Sequence, residues 1–246
     1  MNAASADQLR LLDLQALDTT LDRLAQRRRT LPGLAEHAAL ETRAGQLRDL
    51  IIASSVARSD LNREQTKAEA DVDQVAARAA RDRKVLDAGT ASPKDLSNLQ
   101  SELESLTKRQ SALEDVVLEV MERIEAADAR DAELAKQLAA AEGDLVRVGA
   151  SLGTEQSGVD KDIAFSKQQR DILAGQTPAD LLALYEKIRA QYNGIGAAAI
   201  KQHRCEGCHV ELDVSELNAL RAAAPDLVVR HDACRRILVR TADSGL

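Results

Sequence analysis

Residues 88–96 read AGTASPKDL, and they interrupt two long runs of heptad-spaced apolar residues. Gly89 suits the position that ends a helix, because it enters the left-handed conformation without a Cβ penalty. Ser92 suits an N-cap, where its hydroxyl can accept from a free backbone N–H. Pro93 suits the first helical position, where its missing N–H costs nothing. The stretch predicts a tight turn near 88–93 between two helices.

Downstream, Leu96, Leu99, Leu103, Leu106, Gln110, Leu113, Val117, Val120, Ile124 and Ala127 step by threes and fours, and Leu134, Leu138, Ala141, Leu145, Val148 and Leu152 carry the pattern on. Upstream, Leu14, Leu17, Leu21, Leu24 and Leu31 open a matching seam. Leu47, Leu61, Ala68, Val72, Val75, Ala79 and Leu86 extend it, with polar intrusions at Arg28, Ser54 and Gln65. The downstream run keeps this spacing over roughly eight heptads, which marks a coiled-coil seam rather than a globular helix. Folding about residue 91 sets residue i against about 182 minus i, so the two arms match in length and each covers the other's seam. Pro32 and Gly33 predict a kink or short break in the first arm, and Gly149, Gly153 and Gly158 predict a weakening of the second.

Composition supports this reading. Of 246 residues, 44% are hydrophobic, yet there are 2 Tyr, 1 Phe and no Trp. A bulky α/β enzyme core would use far more aromatic area. The net charge of -7 sets the chain as a whole against nucleic acid and anionic membrane. No window approaches the ~18 apolar residues of a membrane span, and the N-terminus lacks the basic and apolar regions of a signal peptide. A cytoplasmic protein is expected. The fold class is mainly α: a long antiparallel coiled-coil hairpin over 1–176, a short connecting helix over 177–193 with Pro178 at its start, and a small C-terminal zinc ribbon over 194–246.

Chemical content is confined to that last segment. Cys205 and Cys208 form a C-x2-C pair, and His231 and Cys234 form an H-x2-C pair further on. Two such pairs, each on a tight knuckle, give the ligand pattern of structural Zn2+ held tetrahedrally. Two other readings stay open: a redox C-x-x-C at Cys205 and Cys208, or cysteines without metal. His203 and His209 flank the first knuckle as alternative fourth ligands, although only His231 repeats the spacing. Four protein ligands leave zinc no open position for catalysis, and no phosphate loop, Ser/His/Asp arrangement or H-E-x-x-H motif occurs, so the chain is expected not to be an enzyme. No small-molecule substrate is expected either.

SPKDLSNLQSELE (92–104), LLALYEKIR (181–189), CEGCHVEL (205–212) and VVRHDACRRILVR (228–240), in this order, resemble the bacterial coiled-coil hairpin proteins that carry a C-terminal C4-type zinc ribbon. His231 stands where that family has a cysteine, and Arg235 where a glycine is common. The resemblance implies a non-enzymatic adaptor that binds protein partners through the hairpin. Relatives in the family are linked to an alternative sigma factor, to flagellar or secretion components, and in some cases to RNA. The alternative reading is nucleic-acid binding through the ribbon. Lys201, Arg204, Arg221, Arg230, Arg235, Arg236 and Arg240 are balanced by seven acids over 201–246, but Arg230, Arg235, Arg236 and Arg240 could form a local basic face for nucleic acid or a partner. Tyr185 and Tyr192 are expected to anchor the ribbon to the hairpin base.

Overall fold

A computed structural model describes residues 1–90 and 92–246; the pivot assigned to residue 91 lies outside the described residues. The helices are α1 (Ser5–Arg29), α2 (Pro32–Ala88), α3 (Pro93–Gly175), α4 (Ala179–Gln191) and α5 (Val214–Ala222). The strands are β1 (Ala197–Lys201), β2 (Arg204–Cys205), β3 (Val229–Arg230) and β4 (Ile237–Val239), followed by a 3-10 turn at Ala242–Ser244. The long helices form the expected hairpin. Gly89 takes φ of +63° after α2. The Ser92 hydroxyl oxygen accepts from the Asp95 N–H at 3.2 Å, and Pro93 opens α3.

One compact unit comprises Ala35–Gly149. Here α2 and α3 run antiparallel. Arg48 meets Glu142 at 2.6 Å, Arg58 meets Asp128 at 2.9 Å, Arg123 meets Glu64 at 3.1 Å, and Arg78 meets Glu102. These pairs are solvated, and screening by water leaves them a minor part of what holds the arms together. The seam matters more: Leu106, Val120, Leu134 and Val148, spaced two heptads apart along α3, are all buried. The register differs from the simple fold about residue 91. The His37 ring faces Gly149, 3.6 Å from where a Cβ would stand, whereas that fold would put residue 33 there. Cα–Cβ bonds lean toward each helix's own N-terminus. In an antiparallel pair the two leanings add, and contacting side chains are offset by about one turn.

The other unit joins Met1–Leu34 to Ala150–Leu246. The compact division therefore falls within the helices, not at residue 176, because the hairpin base shares one core with α4 and the sheet. Leu11, Leu14, Leu181, Tyr185, Ile188, Ala197, Ile237 and Val239 make that core. Pro178 sits one residue before α4 rather than inside it. The expected break near Pro32 is present, with Leu31 buried between α1 and α2. At the α3 glycines the expected weakening opens no break. That helix runs unbroken to Gly175 because buried Leu152 and Val159 outweigh the ~1 kcal/mol propensity cost of each glycine.

α1 is buried on a second face as well, and that face is polar. Asp18, 1% exposed, accepts from Arg170 Nε at 2.8 Å and from the Tyr185 hydroxyl at 2.6 Å, and lies 3.3 Å from Arg189 Nε. Gln15 Oε1 accepts from the Gly196 N–H at 2.7 Å, and Gln15 Nε2 donates to the Gly194 carbonyl at 2.8 Å. Burial, reinforced by the Asp18 carboxylate, raises the Tyr185 hydroxyl well above its ordinary pKa. Tyr185 thus anchors the sheet to the helices, as expected. Gly196 packs so closely that a Cβ would lie 2.8 Å from both the ring and the carbonyl of Tyr185.

Two glycine substitutions should therefore move in opposite directions. Gly196→Ala is expected to lower stability by about 1–3 kcal/mol through overpacking. Gly153→Ala, in open space on a helix, is expected to raise it by up to about 1 kcal/mol. Thermal melts of both variants, read by circular dichroism, check the signs; equal shifts would contradict the packing.

Candidate metal centre

The sheet order is β2-β1-β4-β3, with β1 and β4 parallel and both edge strands antiparallel to their neighbours. β1 and β2 pair Lys201 with Arg204, leaving Gln202 and His203 as a two-residue loop. Both have positive φ, 45° and 64°, as the mirror-image hairpin turn requires. The chain's last residues hold that turn. Gln202 N–H donates to the Asp243 carbonyl at 2.8 Å, and a His203 ring nitrogen bonds the Gly245 carbonyl at 2.8 Å. His203 is thereby committed away from the cysteines.

The two ligand pairs sit on equivalent knuckles. His209 N–H donates to the Cys205 carbonyl at 2.8 Å, and Arg235 N–H donates to the His231 carbonyl at 2.7 Å. Cys205 N–H closes onto the Val210 carbonyl at 3.1 Å, and His231 N–H onto that of Arg236 at 2.9 Å. His209 and Arg235, each just after the second ligand, have φ of 59° and 60°. A glycine would adopt this conformation freely, and a side chain there is strained. Arginine clamps repeat too: Arg204 Nε donates to the His209 carbonyl at 2.7 Å, and Arg230 Nε to the Arg235 carbonyl at 2.8 Å. The chain thus carries one knuckle design twice, Arg-Cys-x-x-Cys-His and Arg-His-x-x-Cys-Arg.

Together the knuckles bring one atom each from Cys205, Cys208, His231 and Cys234 within 4.8 Å of one another. His231 points Nδ1 into the group, 3.3 Å from Cys208 Sγ and 3.1 Å from Cys234 Sγ. Zinc bonds of ~2.3 Å to sulfur and ~2.0–2.1 Å to nitrogen would set these tetrahedral edges at roughly 3.5 Å, so the donors fit with small adjustment. His209 is exposed and stands outside the group. Burial pushes the Cys205 thiol up to about 12, against the N–H groups of Gly207 and Cys208 that favour its thiolate. Burial also acts against the Cys208 thiolate. There the Val210 N–H, the neighbouring thiols and the charge of Arg236 prevail and hold the group below its ordinary value.

A residue outside the sequence reading organises this centre. Glu216 completes a capping box with Asp213 at the start of α5, each side chain accepting from the other's backbone N–H. Its Oε1 accepts from the Asp232 N–H, inside the second knuckle, at 2.8 Å. Its Oε2 lies 3.8 Å from His231 Nε2, which is buried with no hydrogen-bond partner among the described residues. A carboxylate behind a ligating imidazole fixes the ring's tautomer and orientation. The D-x-x-E pattern at 213–216 was the available signal.

The four arginines expected to form a basic face are mostly engaged elsewhere. Arg230 clamps its knuckle. Arg236 donates to the carbonyls of Ile195 and Tyr192, both at 3.2 Å, and lies over the Tyr192 ring. Arg240 donates to the carbonyls of Ala223, Ala224 and Leu227. Arg235 is exposed and faces Asp232 at 3.6 Å.

A helical hairpin closed by a four-donor ribbon defines the class, and comparison with known proteins gives the family. The CT398-like coiled coil hairpin domain matches residues 14–193, and a C4-type zinc ribbon domain matches residues 204–238. The chain belongs to this CT398-like family of bacterial proteins, with His231 in place of one cysteine of the C4 set. It is 36% identical over 240 residues to the Mycobacterium tuberculosis protein Rv2229c, covering 98% of each chain. A solved structure from Mycobacterium smegmatis matches with a TM-score of 0.85 at 32% identity, covering 98% of this chain and 100% of that one. CT398 from Chlamydia trachomatis, at 18% identity, shares the fold with a TM-score of 0.75 over 96% of this chain and 98% of its own.

Glu216→Ala is expected to weaken zinc binding by about 10–100-fold, measured by competition with a chromophoric chelator. An unchanged affinity would remove Glu216 from the centre.

Proposed function

We propose that this chain is a non-enzymatic cytoplasmic adaptor: structural Zn2+, held by Cys205, Cys208, His231 and Cys234, closes the ribbon, and the hairpin binds protein partners. The observation that carries the reading is the complete set of four donors converging within one metal-sized group. A tetrahedral ion held by all four has no position left for water or substrate. β2 and β3, which lead into the two knuckles, are two residues long each, too short to hold the knuckles without the metal. The long helices supply surface rather than chemistry, and a coiled-coil domain is suited to protein recognition. Among the described residues no helix is long and apolar enough to cross a membrane. The nucleic-acid alternative draws less support, since Arg230, Arg236 and Arg240 give their donors to backbone carbonyls.

Chelation of the metal, or Cys205→Ser, is expected to melt the ribbon while leaving most helical circular dichroism. Amide hydrogen exchange should show protection lost over the knuckles, 204–212 and 229–236, and kept along α2 and the facing part of α3. An ordered ribbon in chelated protein would contradict the structural role of the metal.

A further inference from the structure

Within the unit Ala35–Gly149, α2 and α3 leave a trough of about 310 Å³ whose floor is Val72, Val117 and Leu118 and whose rim is Glu69, Asp73 and Glu114. One turn on from Leu118 along the same face of α3 stands Met121, and the two are 58% and 40% exposed. Exposed apolar side chains clustered this closely mark an interaction surface more often than a solvated face. The rim carries uncompensated charge. Among the described residues, none of the three rim carboxylates forms an ion pair with a basic side chain. Glu69 and Glu114 are instead held by neutral donors, Gln65 Nε2 and Gln110 Nε2, each at 2.8 Å. That fixes both carboxylates without neutralising them.

The surroundings deepen the field. Between residues 114 and 125 lie Glu114, Asp115, Glu119, Glu122 and Glu125 against Arg123 alone, and Arg123 is already paired with Glu64. An apolar trough between two antiparallel helices accepts a third helix along its length, with apolar anchors at i, i+3, i+4 and i+7. Carboxylates on both sides select one that carries lysine or arginine beside its apolar stripe, and they repel acidic helices and nucleic acid.

We propose that the trough lined by Val72, Val117 and Leu118 is the docking site for a cationic amphipathic helix of a protein partner. This rests on the adaptor reading and specifies where on the hairpin, and with what chemistry, a partner binds.

The probe is a synthetic peptide of about 18 residues with leucines on one helical face and lysines beside them, plus a counterpart with glutamates in place of the lysines. Binding to the full zinc-loaded chain is followed by fluorescence anisotropy. The triple variant Glu69→Lys, Asp73→Lys, Glu114→Lys should bind the lysine peptide at least about tenfold more weakly and gain affinity for the glutamate peptide. Leu118→Asp should weaken the lysine peptide similarly, with helical circular dichroism intact. A control triple, Glu36→Lys, Asp49→Lys, Glu133→Lys, changes net charge equally elsewhere on the arms and should leave binding within about twofold. Equal losses in both triples would reduce the effect to net charge and overturn the site; so would unchanged binding in the trough triple. Covalent capture of cellular proteins by the wild type separates this inference from its premise. Capture that survives the trough triple overturns the trough alone, and no capture by any form overturns the adaptor reading.

Discussion

Four donor atoms within 4.8 Å of one another set the terms for everything at the C-terminal end of this chain. Without a cation three sulfurs so close together could not all ionise, because thiolates repel one another and burial opposes charge. With one, the same closeness becomes a clamp. The strain at His209 and Arg235 belongs to this constraint, because the knuckle must reverse direction there to aim both ligands at one point. Arg204 and Arg230 offset that strain by holding the reversed carbonyls. The chain uses side-chain hydrogen bonds where a glycine would have supplied freedom.

The clamp is coupled to the helices by two buried polar groups on α1. Gln15 binds the backbone on both sides of the turn into β1, and Asp18 gathers Arg170, Tyr185 and Arg189 from α3 and α4. A carboxylate that is 1% exposed would be very costly alone; with two guanidinium groups and a hydroxyl around it, removing any partner leaves a buried charge uncompensated. The interaction therefore defines one way of seating the sheet on the helices.

How much of this the sequence discloses depends on the kind of signal. Heptads in α2 and α3 are visible because leucine and valine recur at fixed steps, and buried Leu106, Val120, Leu134 and Val148 lie on the predicted seam. The ligands are visible because knuckle geometry fixes their spacing. Gln15 and Asp18 are invisible for the opposite reason: on a heptad helix, a polar residue off the seam reads as solvated, and only the fold shows that a second layer covers it. Glu216 is hidden behind a capping pattern that many surface helices share. The charge count near Arg235 does not disclose that Arg236 and Arg240 already donate to backbone carbonyls. The register offset at His37 and Gly149 comes from side-chain lean, which spacing alone does not carry.

The most direct measurement is X-ray absorption at the zinc edge on the purified chain with its metal content quantified. The four-donor clamp predicts one zinc per chain, with three sulfurs at about 2.3 Å and one nitrogen at about 2.0–2.1 Å. A protein without zinc, or a first shell dominated by oxygen and nitrogen with an exchangeable water, would contradict it.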